Sequence, residues 1–314
     1  MASDPPVYDP KATSIPVLRY LVAVATHLHF ARAASACRVS QPTLSALIAT
    51  WEKRVRVRVF ERNQHGVRVT PAGERIIAAA RAALIALEAV ENAAGEAKPP
   101  FYGPVRLGLI PTVAPYALPF IIPAIERAHP ELELPLREDT TAELLKAIDA
   151  GRIDVAILAL VPGLGQRHAI DALYREPFLI ALPRGHRLGA QASITGDQLG
   201  QERLLLLAEG HCLRDQALAL CNRLADAGHG ADYRATSLET LRQMVAGGTG
   251  VTVLPALACP DDADRRLALR PFAGGGAERT ICMLSRRGDP RTAAYGLLAA
   301  LIRRRLPPQV ERAS

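Results

Sequence analysis

The sequence predicts an α/β protein: a small, basic, helical head, one long connecting helix, and a larger body of two α/β lobes. Three observations carry this expectation. Residues 1–70 hold ten Lys and Arg against four Asp and Glu, which is +6 of the chain's total of +7. Between residues 15 and 97 the apolar residues recur at helical spacing, broken by a short alternating stretch around Val67 and Val69. From residue 104 onward, short β-type runs alternate with helical segments, the pattern of βα repetition. With 314 residues the chain can bury a sizeable core in two or three domains.

The opening "MASDPPVYDPKATSIP" is polar and proline-rich and lacks a basic start followed by an apolar run, so no signal peptide is expected and a cytoplasmic location is. The most apolar helical stretch, "IIAAARAALIALEAV", carries Arg81 and Glu88 and is too short to span a bilayer, so no membrane is expected either. The first helix begins near Ile15, with Leu18, Leu21, Val22 and Ala25 along one face. A short alanine-rich helix runs from Ala31 to Cys37. Ser40 is then a good N-cap, and Pro42 falls in the next first turn, where its missing N–H does no harm.

A short helix, a tight turn and a second helix with a hydroxyl-rich start predict a helix-turn-helix. Ser40, Gln41, Pro42, Thr43 and Ser45 sit at its recognition end, and Lys53 and Arg54 approach phosphates. The segment "FERNQHGVRVTPAG" reads as a β-wing turning at Asn63 and Gly66, with Arg62 and Arg68 beside the nucleic-acid backbone. The stretch 53–68 alone has six basic residues and one acidic one, so double-stranded DNA is the expected partner of a domain spanning residues 14–71.

Residues 72–97 continue as a linker helix. Ile76, Ile77, Ala80, Leu84, Leu87 and Val90 form an apolar stripe suited to dimerisation. "AKPPFYGP" ends it. The body, residues 104–306, is read as "VRLGLI", a helix over 115–128, "LELPLRE", a helix over 141–150, "DVAILAL" and "FLIALP". A second block holds "LLLLAEG", a helix over 213–227, "YRATS", a helix over 238–246 and "VTVLPA", and "ICMLSR" returns to the first lobe. A mostly parallel sheet is expected, with lobe I at about 104–176 and 281–306, lobe II at about 177–280, and a ligand cleft between them.

The five cysteines, 37, 212, 221, 259 and 282, form no CxxC and no zinc-ligand spacing, so neither a metal nor a cofactor is implied. Residues 209–221 read "EGHCLRDQALALC". On one α-helix, residues nine apart lie on opposite faces and about 13.5 Å apart along the axis, whereas a disulfide needs Cα atoms within roughly 7 Å. Two readings stay open from the spacing: unrelated buried cysteines, or a switch whose oxidised form demands a different backbone.

"FARAA" at Phe30–Ala34, "VSQPTLS" and "TPAG", in that order, resemble the DNA-binding domain of LysR-type transcriptional regulators. "LGLIPTVAPY", "EGHCLRDQAL" with Cys221 beyond it, and "RATSLETLRQMVAGGTGVTVLPALA" are similar to the peroxide-sensing branch of that family. The similarity runs from about residue 15 to about 303. There are two departures. Val55 and Arg56 stand where the family usually places a glycine turn, and Asp232 stands where the branch often has histidine.

The resemblance implies a winged helix-turn-helix joined to a two-lobed effector domain like periplasmic binding proteins. It implies an activator of oxidative-stress genes, not an enzyme, assembling through the linker helix as a homodimer or homotetramer. In that reading Cys212 is the peroxidatic thiol and Cys221 the resolving one, together forming a redox-active disulfide. Thr112 and Thr141 contact hydrogen peroxide, Arg279 lies near the sulfur, and His211 and Asp215 complete the site. RNA polymerase and a cellular thiol reductant such as glutaredoxin are the further partners implied. Two alternatives are a LysR-type regulator of a metabolite with structural cysteines, and a thiol peroxidase; the basic head and the absence of a CxxC reductant module argue against the latter.

Overall fold

Each helix of the basic head after the first begins where a side chain closes its first turn. In the computed structural model, which describes residues 13–63, 66–93, 101, 103–221, 234–259 and 265–313, the head comprises α1 (Ile15–His27), α2 (Phe30–Ala36), α3 (Gln41–Val55), β1 (Phe60–Asn63), β2 (Gly66–Val69) and α4 (Pro71–Ala93). The His29 ring accepts from Ala31 N at 3.2 Å to start α2, and Ser40 Oγ accepts from Thr43 N at 3.2 Å to start α3. Thr70 Oγ1 accepts from Gly73 N at 2.9 Å to start α4. A Cβ on Gly73 would overlap the Val59 carbonyl, so the bare glycine lets α4 close on the wing. That is the physical content of "TPAG".

Leu44, Ile48 and Trp51 of α3 meet Val17, Leu21 and Val24 of α1 in the head's core. The inward face of α1 is therefore one step round from the expected one, sharing only Leu21; Leu18, Val22 and Ala25 flank it, half-buried. The turn normally made by glycine after α3 is made by Arg56 in the left-handed region at φ 55°, its N–H bonded to the Glu52 carbonyl. This conformation costs a non-glycine residue about 1 kcal/mol. Glu52 Oε1 offsets it by accepting from Val59 N at 2.6 Å and Phe60 N at 3.1 Å, which ties the wing to α3. On α4, Ile77 and Ala80 pack into the head while Val90 is 65% exposed.

The chain divides into two compact units, the first made of residues 1–98 and 149–151 and the second of 99–148 and 152–314. The second contains β3 (Leu107–Leu109), α5 (Ala114–Ala128), β4 (Leu136–Glu138), α6 (Thr141–Asp149), β5 (Val155–Ala159), β6 (His168–Pro183), α7 (Gly196–Gly200), β7 (Leu206–Leu207), α8 (Cys212–Leu220), β8 (Arg234–Ala235), α9 (Leu238–Ala246), β9 (Thr252–Pro255), β10 (Leu267–Pro271), β11 (Glu278–Arg286), α10 (Thr292–Arg305) and β12 (Glu311–Arg312). The main sheet runs β10-β6-β11-β5-β3-β4, with β9 and β12 also on β6.

The expectation of a mostly parallel sheet is corrected here. β3 pairs in parallel with β4 and β5, and β7 with β8, but all pairings of β6 and β11 are antiparallel. The reason is topological: β6 carries the chain out of the first lobe and β11 brings it back, so the two run in opposite directions.

β6 has 16 residues, not the six of "FLIALP". Its first half, "HAIDALYREP", mixes buried and wetter positions and so lacks an apolar run. Leu173 and Tyr174 of β6 belong to one core, together with β3, β5, β11, α5, α6 and α10. Phe178, Ile180 and Leu182 of the same strand belong to a second core with α8, α9 and β9. One strand thus threads both lobes. The "YRATS" stretch is described only from Arg234, and Asp232 lies outside the described residues.

Candidate functional site

Three helices begin around one narrow pocket. The segments entering α5 (Ile110, Pro111, Thr112), α6 (Thr140, Thr141) and α8 (Gly210, His211, Cys212) line it together. First-turn amides have no intrahelical acceptor, and the positive end of each helix dipole favours an anion or an electron-rich oxygen. No acidic side chain is among the lining residues. Gly210, at φ 92°, makes the turn into α8. His211 is the N-cap but offers no side-chain cap, and Cys212 is the first helical residue.

Burial pushes the Cys212 thiol above its ordinary value. The Arg279 charge, the Thr141 hydroxyl and the amides of Leu213 and Cys212 pull the other way without overcoming it. Burial thus favours the neutral thiol, while the surrounding donors favour its anion. Thr141 Oγ1 is buried, and the group it acts on is the Cys212 sulfur, whose anion its hydroxyl favours. Burial also lowers the His211 pKa, which favours the neutral imidazole.

Arg279 on β11 is 3% exposed and fully engaged. Its Nη1 donates to Thr112 Oγ1 at 2.9 Å, its Nη2 to the Thr112 carbonyl at 3.0 Å, and its Nε to Glu176 Oε2 at 2.9 Å. Because Thr112 Oγ1 accepts from the guanidinium, its own hydrogen is left for the pocket. Thr112 does not cap α5, whose N-cap is Val113.

Glu176, fully buried, faces Arg279 directly across the β6–β11 pair. Its second oxygen accepts from Leu257 N at 2.8 Å. The carboxylate thus satisfies a buried cation and binds it to the second lobe, since both ions are desolvated and hydrogen-bonded. Sequence reasoning missed Glu176. The available signal was a lone carboxylate beside the apolar run "FLIALP", where a buried charge requires a partner.

Asp215 is not brought to the pocket: it is exposed on the first turn of α8, so its expected place beside peroxide is corrected. Arg214 turns away as well, donating to the Leu207 carbonyl at 3.2 Å. Cys221 is the C-cap of α8 and 3% exposed. Leu213, Ala217 and Cys221 form a stripe buried in the second lobe's core, whereas Cys212 packs against the core of the first. Neither cysteine is disulfide-bonded. Nine residues at a rise of about 1.5 Å separate them by about 13.5 Å along the intact helix.

In the head, Ser40, Gln41, Pro42 and Thr43 are exposed at the start of α3, Ser45 is half-buried, and Lys53 and Arg54 are exposed in its last turn. Ser40 is engaged as the cap, also meeting Thr43 Oγ1 at 2.7 Å. Arg68 is exposed on β2, and Arg62 lies on β1 with its side chain outside the described residues. Among the described residues no helix is long and apolar enough to cross a membrane.

Residues 16–74 match the model of the bacterial regulatory helix-turn-helix proteins of the lysR family, and residues 101–307 match the LysR substrate binding domain. The chain is 41% identical over 298 residues to a hydrogen peroxide-inducible genes activator of Dickeya chrysanthemi, covering 95% of this chain and 97% of that protein. A full-length OxyR cysteine variant from Pseudomonas aeruginosa superposes with a TM-score of 0.83 at 37% identity, covering 92% of this chain and 97% of that one. A hydrogen peroxide-bound cysteine variant of Corynebacterium glutamicum OxyR gives a TM-score of 0.62 at 34% identity, covering 95% and 94%. The chain belongs to the LysR family of bacterial helix-turn-helix transcriptional regulators, in the group that carries the name OxyR.

Proposed function

We propose that this regulator senses hydrogen peroxide through Cys212 and reports it to DNA through a disulfide with Cys221. The observation that carries the reading is the pocket itself: a thiol at a helix start, ringed by Thr112, Thr141, His211 and two further helix N-termini, with Arg279 behind Thr112. Peroxide enters as a neutral molecule. The Cys212 thiolate attacks one oxygen, the O–O bond breaks, and the departing hydroxide takes a proton to leave as water. The Thr112 and Thr141 hydroxyls and the nearby guanidinium stabilise charge developing on that oxygen. Cys212 is left as the sulfenic acid.

The Cys221 sulfur then displaces hydroxide from the sulfenic sulfur, releasing a second water, so two thiols and one peroxide give one disulfide and two waters. An intact α8 forbids that bond, so oxidation unwinds the helix and strips Leu213 and Ala217 from the second core. The rearrangement alters promoter engagement by the heads, which pair through α4 in a homodimer or homotetramer, and activates defence genes with RNA polymerase. A cellular thiol reductant such as glutaredoxin restores the dithiol. Lobe boundaries near 176 and 281 follow the crossing strands β6 and β11.

The test is equimolar peroxide added to reduced protein, followed by disulfide mapping by mass spectrometry. A Cys212–Cys221 peptide pair is expected, and Cys212→Ser is expected to abolish peroxide-dependent transcription while leaving DNA binding intact. Recovery of both cysteines as unmodified thiols would favour a metabolite-responsive regulator instead.

A further inference from the structure

Gly196, the first residue of α7, meets the end of α8 backbone to backbone. A Cβ built on it would overlap the Leu220 carbonyl and would lie 3.6 Å from the Cys221 Cα. Neither neighbour is the flexible end of a side chain, so a methyl group there displaces the helix terminus or α7. The α7 side cannot yield easily. Thr195 and Gln198 close a full capping box around its first turn, with Gln198 N donating to Thr195 Oγ1 at 3.2 Å and Thr195 N to Gln198 Oε1 at 2.9 Å. Leu199 is buried in the second core beside Cys221. The burden of any added atom therefore falls on Leu220 and Cys221.

We infer that Gly196 sets the redox poise of the Cys212–Cys221 pair, because its missing side chain is what lets the helical dithiol form close. This rests on the disulfide reading proposed above. Bringing the two Cα atoms from about 13.5 Å to within roughly 7 Å moves the helix terminus off Gly196. A side chain at 196 then strains the dithiol form and leaves the disulfide form untouched. Gly196 is a positioning residue: it touches neither the pocket nor peroxide.

The experiment equilibrates wild-type and Gly196→Ala protein in glutathione buffers, where the two-electron exchange converts the dithiol and oxidised glutathione into the disulfide and two reduced glutathiones. The expected result is a constant shifted about tenfold toward the disulfide in Gly196→Ala, about 30 mV. In a Cys212→Ser background the same substitution is expected to speed alkylation of Cys221 while Cys259, buried in the same core, stays protected. Gly250→Ala, which crowds the Arg203 carbonyl and the Leu205 side chain but neither Leu220 nor Cys221, serves as the control and is expected to leave the constant unchanged. An unshifted constant in Gly196→Ala, an equal shift in Gly250→Ala, or exposure of Cys259 together with Cys221 overturns the inference. A wild-type protein that forms no 212–221 bond in any buffer overturns instead the reading on which it rests.

Discussion

Thr112 is tied to Arg279 through both of its oxygens, which accept from the guanidinium and so leave its hydroxyl hydrogen for the pocket that it lines with Cys212. Removing the guanidinium would undo both effects at once. Arg279→Ala takes away the charge that opposes the burial-raised thiol pKa and frees Thr112 to rotate. Sulfenic acid formation is expected to slow about 10²-fold, read by stopped-flow peroxide consumption. The sign of the pH dependence follows from the same balance. With the Cys212 pKa raised by burial, the thiolate fraction climbs about tenfold per pH unit through the neutral range, so the wild-type rate rises with pH and shows no plateau below pH 8. A plateau near pH 6 would mean that the donors outweigh burial. At this scale the sequence was generous with nucleophiles and hydroxyls but poor with carboxylates. Asp215 looked close along the chain but is exposed, whereas Glu176, 103 residues from Arg279, holds the arginine in place.

Helix α8 shows how far spacing alone carries an argument. A helix expected from residue 213 begins one residue earlier, at Cys212, and the opposition of its two cysteines was readable from their spacing. The sequence pattern extends the helix to residue 227; α8 is described to Leu220 with Cys221 as its cap, and residues 222–227 lie outside the described residues. What no local pattern revealed is that Cys212 packs on one lobe's core and Cys221 within the other's, because that depends on the crossing of β6. The crossing strand itself was half-legible. "FLIALP" announced its second half, but the polar residues of "HAIDALYREP" disguised the first, and with it the antiparallel frame. In the head, the start of α3 was written plainly in Ser40. The turn after α3 was not, because Arg56 takes a left-handed conformation that residue type does not advertise.

Across the whole molecule, the net charge and the cysteine pair proposed as the redox switch occupy different parts of the chain. The first 70 residues carry +6 of the net +7, and the cysteine pair lies more than 140 residues further on. With Lys53 and Arg54 exposed in the last turn of the recognition helix and Arg68 exposed on β2, DNA affinity is expected to fall steeply with salt in a binding titration, by about one power of salt concentration per phosphate neutralised. A flat dependence would remove DNA binding from the head. The link between the two parts is the claim that a 212–221 bridge and an intact α8 cannot coexist. Amide hydrogen exchange of the reduced and peroxide-treated protein, read over the full chain by mass spectrometry, tests that claim most directly. The account predicts that residues 213–220 lose their protection on oxidation while the core of the head keeps its own. A mapped 212–221 disulfide with the protection of 213–220 unchanged would contradict it.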